Sequence, residues 1–327
     1  MSFEADQIVD RRRLRRKVTF WRVVCAVFVV AAIAGGGFFF AGRGADMVSG
    51  PSGAIARVKI EGLIRSDQQR VEALERLGKS RAAAVIVRIN SPGGTTAGSE
   101  ELYDSLTRLR ERKPVVVVVE GLAASGGYIA ALGGEHIVAR ETSLVGSIGV
   151  LFQYPNVSEL LKTVGVQVEA IKSSPLKAAP NGYEPTSPEA RAAIEAVVMD
   201  SYAWFKRLVQ ERRRMDDGTL TTVSDGRIFT GRQATSLKLI DQIGDEKTAI
   251  AWLAAEKKIS ADLPVRDFRL QDRFGDLSFL RLATAVVLDA AGLTTLARRL
   301  EAGGALQAME RLNLDGLLAL WHPPGTQ

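Results

Sequence analysis

Residues 115–131, VVVVVEGLAASGGYIAA, decide how the rest of the chain is read. The five consecutive valines, Val115 to Val119, show no polar alternation. A strand that is apolar on both faces belongs inside a parallel sheet covered on both sides. The valines give way to Gly121, then to small residues, then to Ser125 directly before Gly126 and Gly127. Small neighbours let another backbone approach closely. A serine at the opening of a helix stands beside backbone N–H groups that lack an intrahelical acceptor, where an oxyanion can be stabilised. The match to a G-x-S-x-G nucleophile elbow fails by one residue, because Ala123 occupies the first glycine position. An ordinary helix N-cap serine is the plain alternative.

Outward from this stretch, short apolar runs alternate with helical ones. Residues 54–60 read as a strand and residues 67–77 as a helix, with Val71, Leu74 and Leu77 on its apolar face. Residues 82–89 (AAAVIVRI) read as a buried strand, followed by a turn at Asn90-Ser91-Pro92-Gly93-Gly94 and an amphipathic helix over 99–112. Strands are predicted at 136–140 and 166–171. A long helix starts at Ser187-Pro188, with serine as N-cap and proline at the first helical position. Such alternation predicts an α/β fold with a parallel sheet. Ligands of open α/β sheets bind outside the carboxyl ends of the strands. Residues 90–94 and Ser125 both follow buried strands, so the two glycine-rich motifs can face one cleft.

A nucleophilic serine needs a base. His136 lies at the far end of the predicted short helix, about 15 Å from Ser125 at the helical rise, too far for a hydrogen bond. His322 sits in the proline-rich tail and reads as solvent-facing. The other base used with serine is a lysine whose pKa burial lowers. Lys177, between Leu176 and Ala178-Ala179, is the lysine whose neighbours could desolvate it, against the plain reading of a loop lysine in water.

Composition narrows the remaining classes. The 327 residues are 46% hydrophobic and 24% charged, which excludes wholesale disorder, collagen and a disulfide miniprotein. One cysteine, Cys25, excludes an internal disulfide and a multi-cysteine metal site, and two histidines argue against a histidine-rich one. The net charge of +6 hints at a polyanion partner until it is divided by segment. Residues 1–22 carry seven basic and three acidic side chains, net +4, which leaves +2 for everything after them. The body is nearly neutral and has no basic stripe interleaved with aromatics, so no nucleic-acid partner is expected. Residues 23–42 (VVCAVFVVAAIAGGGFFFAG) are 20 residues without a charge, long enough at about 1.5 Å per residue to span a bilayer. With Trp21 at the interface and the arginines before it, this predicts a transmembrane helix with residues 1–22 in the cytoplasm and the rest exported. A cleaved signal peptide at Ala32-Ile33-Ala34 is the alternative, but the apolar run continues to Phe40. Residues 264–327 read as a Leu/Ala/Arg-rich helical extension.

Five blocks together resemble the signal peptide peptidase A family of serine–lysine peptidases: residues 89–106 (INSPGGTTAGSEELYDSL), 121–131 (GLAASGGYIAA), 142–151 (TSLVGSIGVL), 170–180 (AIKSSPLKAAP) and 226–244 (GRIFTGRQATSLKLIDQIG). The resemblance covers about residues 54–255. The first two blocks are also similar to those of the Clp protease proteolytic subunit, and the lysine and GSIGV blocks separate the two families. The resemblance implies a crotonase/Clp-protease-like α/β fold and a peptidase domain over 54–255. It implies Ser125 as nucleophile, Lys177 as general base and Ser147 as the serine orienting the lysine. Backbone N–H groups of Gly93 or Gly94 and of Gly126 are the implied oxyanion donors. No cofactor and no metal are implied. The expected substrates are remnant signal peptides and other membrane-proximal peptides. The expected setting is the bacterial inner membrane with the catalytic domain on the periplasmic side, in contact with the lipid bilayer. A ring-like homo-oligomer is implied, in which the dyad is completed within or between subunits. Two departures stand out: Pro175 shortly before the lysine, and Lys238 where the family usually has glycine. A non-catalytic membrane scaffold on the same fold and a crotonase-type acyl-CoA enzyme are the alternatives.

Overall fold

The chain order begins β1 (Ile55–Ile64), α1 (Gln68–Lys79), β2 (Ala84–Thr95), α2 (Thr96–Arg110), β3 (Val115–Ala124), α3 (Gly126–Ala131), β4 (His136–Ala139) and β5 (Leu144–Gly146). It continues through α4 (Ser158–Thr163), α5 (Pro188–Arg213), α6 (Asp217–Val223), β6 (Ile228–Thr230), α7 (Gly231–Ser236), β7 (Gln242–Ile243) and α8 (Glu246–Lys257) to β8 (Val265–Asp267) and β9 (Leu318–Leu320). This is a computed structural model that describes residues 53–270 and 318–320. The basic segment 1–22, the apolar run 23–42 with Cys25, His322 and most of the 264–327 extension lie outside the described residues. Among the described residues no helix is long and apolar enough to cross a membrane. The described parts of the 264–327 region include two strands, β8 and β9.

The fold is mixed α/β on one mostly parallel sheet. The strand order is β6-β5-β3-β2-β1-β8, with β4 beside β3, β7 beside β4 and β9 on β2. All pairings are parallel except β5 with β6 and β2 with β9. The valine run explains the architecture. Val115, Val117 and Val119 point into the larger core with Leu102, Leu106 and Tyr128. Val116 and Val118 point to the opposite face, into the cluster that holds Ala249 and Leu253 of α8. Both faces are therefore covered, and burial of each valine stabilises the fold by about 1.5 kcal/mol or more.

Helix starts follow local chemistry. Asp67 caps α1 by accepting from the Arg70 N–H, and Thr95 caps α2 by accepting from the Gly98 N–H. Ser187 accepts from the Ala190 N–H with Pro188 opening α5, as its sequence predicts. Two expectations are corrected. Asn90–Gly94 does not end the strand. It continues β2 to Thr95, with a register shift between Ile89 and Ser91. Residues 166–171 form no strand: their apolar side chains are exposed, with Ile171 fully in solvent, so no sheet neighbour selects extended pairing there.

The strand ends diverge where the chemistry is expected. β3 pairs with β4 through Val116–Val119 and then with β5 through Leu122–Ala124. β2 stays beside β3 only as far as Ser91, opposite Ala123. On its other edge β2 keeps β1 to the end, where Ile64 stands opposite Gly94. The edge of β2 that β3 leaves is taken by β9, antiparallel, with Gly93 opposite Leu320, Gly94 opposite Ala319 and Thr95 opposite Leu318.

Candidate active site

Ser125 joins β3 to α3 in a backbone conformation that few non-glycine residues adopt, φ 52° and ψ −117°. Holding a serine there costs on the order of 1–3 kcal/mol, and the surrounding bonds keep it in place. Its N–H donates to the Gly146 carbonyl at 2.7 Å, and its carbonyl accepts from the N–H groups of Tyr128 and Ile129 at 2.9 and 3.0 Å. The residue is only 1% exposed. The hydroxyl makes one long contact, donating to the Gly149 carbonyl at 3.5 Å, so it is not locked into a strong bond. This is the geometry of a strand-to-helix elbow, reached without the glycine two residues upstream.

Ser147, at the end of the neighbouring strand, has the same positive φ of 52°. Its N–H donates to the Arg227 carbonyl at 2.8 Å. Ala124 stands opposite Gly146 in the parallel β3–β5 pair, so Ser125 and Ser147 are the next residues on adjacent strands. Parallel strands lie about 4.8 Å apart, which makes the two serines lateral neighbours.

The third contributor is the end of β2. Ser91 is fully buried; its hydroxyl donates to the Gly62 carbonyl at 2.7 Å and accepts from the Gly93 N–H at 3.1 Å. The Gly93 N–H is thus already engaged. Gly93 has φ 108°, a conformation suited to glycine. Gly94 packs so closely on β1 that a Cβ would lie 1.7 Å from the Ile64 carbonyl oxygen. A Cβ on Gly127 would lie 2.6 Å from the Ser91 carbonyl oxygen, so the opening of α3 also rests on β2 backbone. Gly94 and Gly126, where the resemblance implies oxyanion donors, stand at the end of β2 and at the opening of α3.

The base of α3 is held from below. Tyr128 is completely buried and donates to the Leu239 carbonyl at 2.8 Å, and burial pushes its phenol pKa well above the ordinary value. Arg213 donates to the Lys238 carbonyl and pairs with Asp241 at 2.7 Å. Lys238, the departure from the family pattern, thus lies in this support, at φ 59°.

Lys177 is placed differently. It lies in an exposed loop, its N–H donating to the Ser174 carbonyl at 3.1 Å, and no hydrogen bond among the described residues joins it to Ser125. The loop is bracketed by an ion pair between Lys172 and Glu184 at 2.8 Å. The hydrogen bond from Lys172, then that from Asn181, holds the Glu184 carboxyl below the ordinary carboxylate value. Val166, Val168, Ile171 and Leu176 on this stretch are all exposed. The structure therefore brings Ser125, Ser147, Gly93, Gly94 and Gly126 to one place and leaves Lys177 in solvent. His136 opens β4 and stacks on Trp252 with ring centroids 4.7 Å apart, a packing role. Among the described residues no group of three or more His, Cys, Asp or Glu side chains could hold a metal ion.

Among the buried serines that sequence reasoning did not single out, Ser91 and Ser143 brace the strands around the site. Ser91 stood inside a recognised motif but had no assigned task. Ser143 donates to the Val119 and Glu120 carbonyls at 3.2 and 3.0 Å and so ties the β4–β5 turn to β3. Ser143 also accepts locally from the Arg140 N–H at 3.2 Å, but the β3 carbonyls it reaches are 23 and 24 residues away, which a local pattern does not show.

Comparison with known proteins matches residues 107–260 to peptidase family S49 and residues 65–143 to the Clp protease family. The candidate protease slr0021 of Synechocystis sp. is 37% identical over 210 residues, 64% of this chain and 76% of that protein. A candidate signal peptide peptidase SppA of Enterococcus faecium is 33% identical over 195 residues, 59% of this chain and 57% of its own length. ClpP1 of Listeria monocytogenes superposes with a TM-score of 0.40 at 16% identity, over 58% of this chain and 91% of that one.

Proposed function

Starting from peptidase family S49, the signal peptide peptidase A family to which this chain belongs, we propose that it is a membrane-anchored serine endopeptidase that hydrolyses remnant signal peptides. The observation that carries this reading is the pair of left-handed serines at the ends of β3 and β5, set beside the glycine end of β2. In this reading Ser125 attacks the amide carbonyl. Lys177, as a neutral amine, takes the hydroxyl proton and returns it to the leaving amine. Ser147 orients that amine. The Gly94 and Gly126 N–H groups receive the oxyanion, a choice supported by the engagement of the Gly93 N–H with Ser91. Water then releases the acyl-enzyme.

An exposed Lys177 fits this chemistry when its loop is covered. The exposed apolar side chains at Val166, Val168, Ile171 and Leu176 support a neighbouring copy as the cover, with the dyad completed between subunits of a ring-like homo-oligomer. The apolar run 23–42 would hold the assembly at the inner membrane, with the peptidase domain on the exported side, where spent signal peptides remain in the bilayer.

The test is cleavage of a fluorogenic apolar peptide by the full chain and by Ser125→Ala and Lys177→Ala. Each substitution is expected to lower kcat by about 10⁴-fold or more. Mixing the two inactive variants before assembly is expected to restore part of the activity if the dyad is shared between copies. A Lys177→Ala variant with near-normal kcat would refute the dyad.

A further inference from the structure

The ladder that presents Ser147 is short. β5 and its antiparallel partner β6 are three residues each, and β6 lies at the end of the sheet order. A short edge ladder has few hydrogen bonds to hold its register, so it opens readily. Side chains pin β6 at both of its ends. At the carboxyl end Thr230 opens α7 in a capping box with Gln233. At the amino end the Asp225 carboxylate closes the turn Asp225-Gly226-Arg227. It accepts from the Arg227 N–H at 3.1 Å and from the Arg227 Nε at 2.6 Å. Gly226 takes φ 87°, a value that suits glycine, and the chain folds back through it.

This turn ends against the site. The Arg227 carbonyl accepts the Ser147 N–H at 2.8 Å, one step past the last paired residues, Gly146 and Ile228. Ser147 is a non-glycine residue at positive φ, so its surroundings hold it there against its own preference. The Arg227 side chain is 64% exposed, and an ion pair so open to water contributes little by itself. The larger contribution of Asp225 is the turn, which aims the Arg227 carbonyl at Ser147.

We infer that Asp225 is a positioning residue for the reaction: by closing the turn into β6 it sets the carbonyl that holds Ser147, and through it the place of the Ser147 hydroxyl. The inference rests on the orienting role proposed for Ser147. Asp225 acts through that serine and not on the reacting atoms. A displacement of about 1 Å in a site costs about 100-fold in rate, and a turn that loosens without breaking costs less, about tenfold.

The experiment is a double-mutant cycle in the full chain, read by hydrolysis of the fluorogenic apolar peptide and by amide exchange over residues 146–148. Asp225→Ala is expected to lower kcat about tenfold, to leave KM unchanged and to speed exchange over 146–148 about fivefold. Asp225→Asn keeps an acceptor for the Arg227 N–H and is expected to recover most of the lost rate. Asp245→Ala is the control. Asp245 accepts from the Lys247 N–H at 2.9 Å, a bond of the same two-residue span, but at the start of α8. Its loss is expected to lower Tm without changing kcat or KM. On a Ser147→Ala background, Asp225→Ala is expected to lower kcat no further, because the group it positions is gone. An undiminished tenfold loss on that background would overturn the inference, and so would parent-like exchange over 146–148 in Asp225→Ala. Ser147→Ala with parent-like kcat would instead refute the orienting role of Ser147, and the inference with it.

Discussion

Replacing Gly94 by alanine tests the geometry of the site most directly. An added Cβ would lie 1.7 Å from the Ile64 carbonyl oxygen, 2.5 Å from its carbonyl carbon and 2.6 Å from its nitrogen, all of them backbone atoms. Real Cβ contacts stay beyond 3.0 Å, so β1 and β2 must part by at least 1.3 Å (3.0 less 1.7) at the point where they are paired. No side-chain rotation relieves such a clash. Overpacking of this severity costs about 3 kcal/mol, which for a domain of this size lowers Tm by about 6–12 °C. A displacement of about 1 Å at an oxyanion donor costs about 100-fold in rate. The expected result is a Gly94→Ala protein that is still folded at 20 °C but melts earlier and has kcat reduced about 100-fold, read by calorimetry and peptide hydrolysis. Gly78→Ala is the control. It sits inside α1, where the nearest atom is the flexible Arg112 side chain at 3.2 Å, and alanine gains up to about 1 kcal/mol in a helix. A Gly94→Ala enzyme with Tm and kcat both near those of the parent would refute the β1–β2 register and the role given to this amide.

Further outcomes follow from other contacts. Ser91→Ala leaves the Gly62 carbonyl and the Gly93 N–H without their buried partner, so Tm should fall by the equivalent of about 1–3 kcal/mol. Its kcat should fall while KM holds, and unchanged kinetics would show that Ser91 does not position the glycine end. Tyr128→Phe orphans the Leu239 carbonyl and is expected to cost about 1–2 kcal/mol, seen as an earlier melt without change in KM. The Glu184 carboxyl has a lowered pKa in the folded chain, so its pairing with Lys172 is complete above the ordinary carboxylate value and is lost as pH falls through the lowered one. Amide exchange over residues 172–184, corrected for intrinsic rates, should therefore speed up at pH 3, and Glu184→Gln should show the same acceleration at pH 7. Identical exchange in Glu184→Gln and the parent would show that the ion pair does not hold the loop.

The parts of the fold that were readable in the sequence are those whose partners are decided locally. The valine run declares a strand buried on both faces, and the Asp67, Thr95 and Ser187 caps act within three residues of themselves. Asn90–Gly94 misled because Pro92 and two glycines are turn formers by propensity. The neighbouring β1, pairing with Gly93 and Gly94, overrides that preference. Residues 166–171 carry the apolar residues of a strand but have no strand beside them in this chain, and a strand without a neighbour has no ladder to join. The serines of the site were legible through their glycine neighbours. That Ser125 and Ser147 share a positive φ and a place in register was not, because the register depends on the parallel β3–β5 pairing. The engagement of the Gly93 amide by Ser91 was hidden for a different reason. The bond spans two residues, but the Ser91 hydroxyl is also anchored on the Gly62 carbonyl, 29 residues away at the β1 register shift.

The exposed apolar stretch around Lys177 has a consequence for dose. A loop that is ordered for chemistry only when a second copy covers it makes specific activity a function of crowding. Under the proposed pairing, dilution into bulk water silences each molecule without unfolding it. Confinement to a surface, where motion in two dimensions raises the local density, switches the population on. Under that pairing a solitary copy carries both residues of the dyad but does not bring them together, which is itself a safeguard during synthesis and transport.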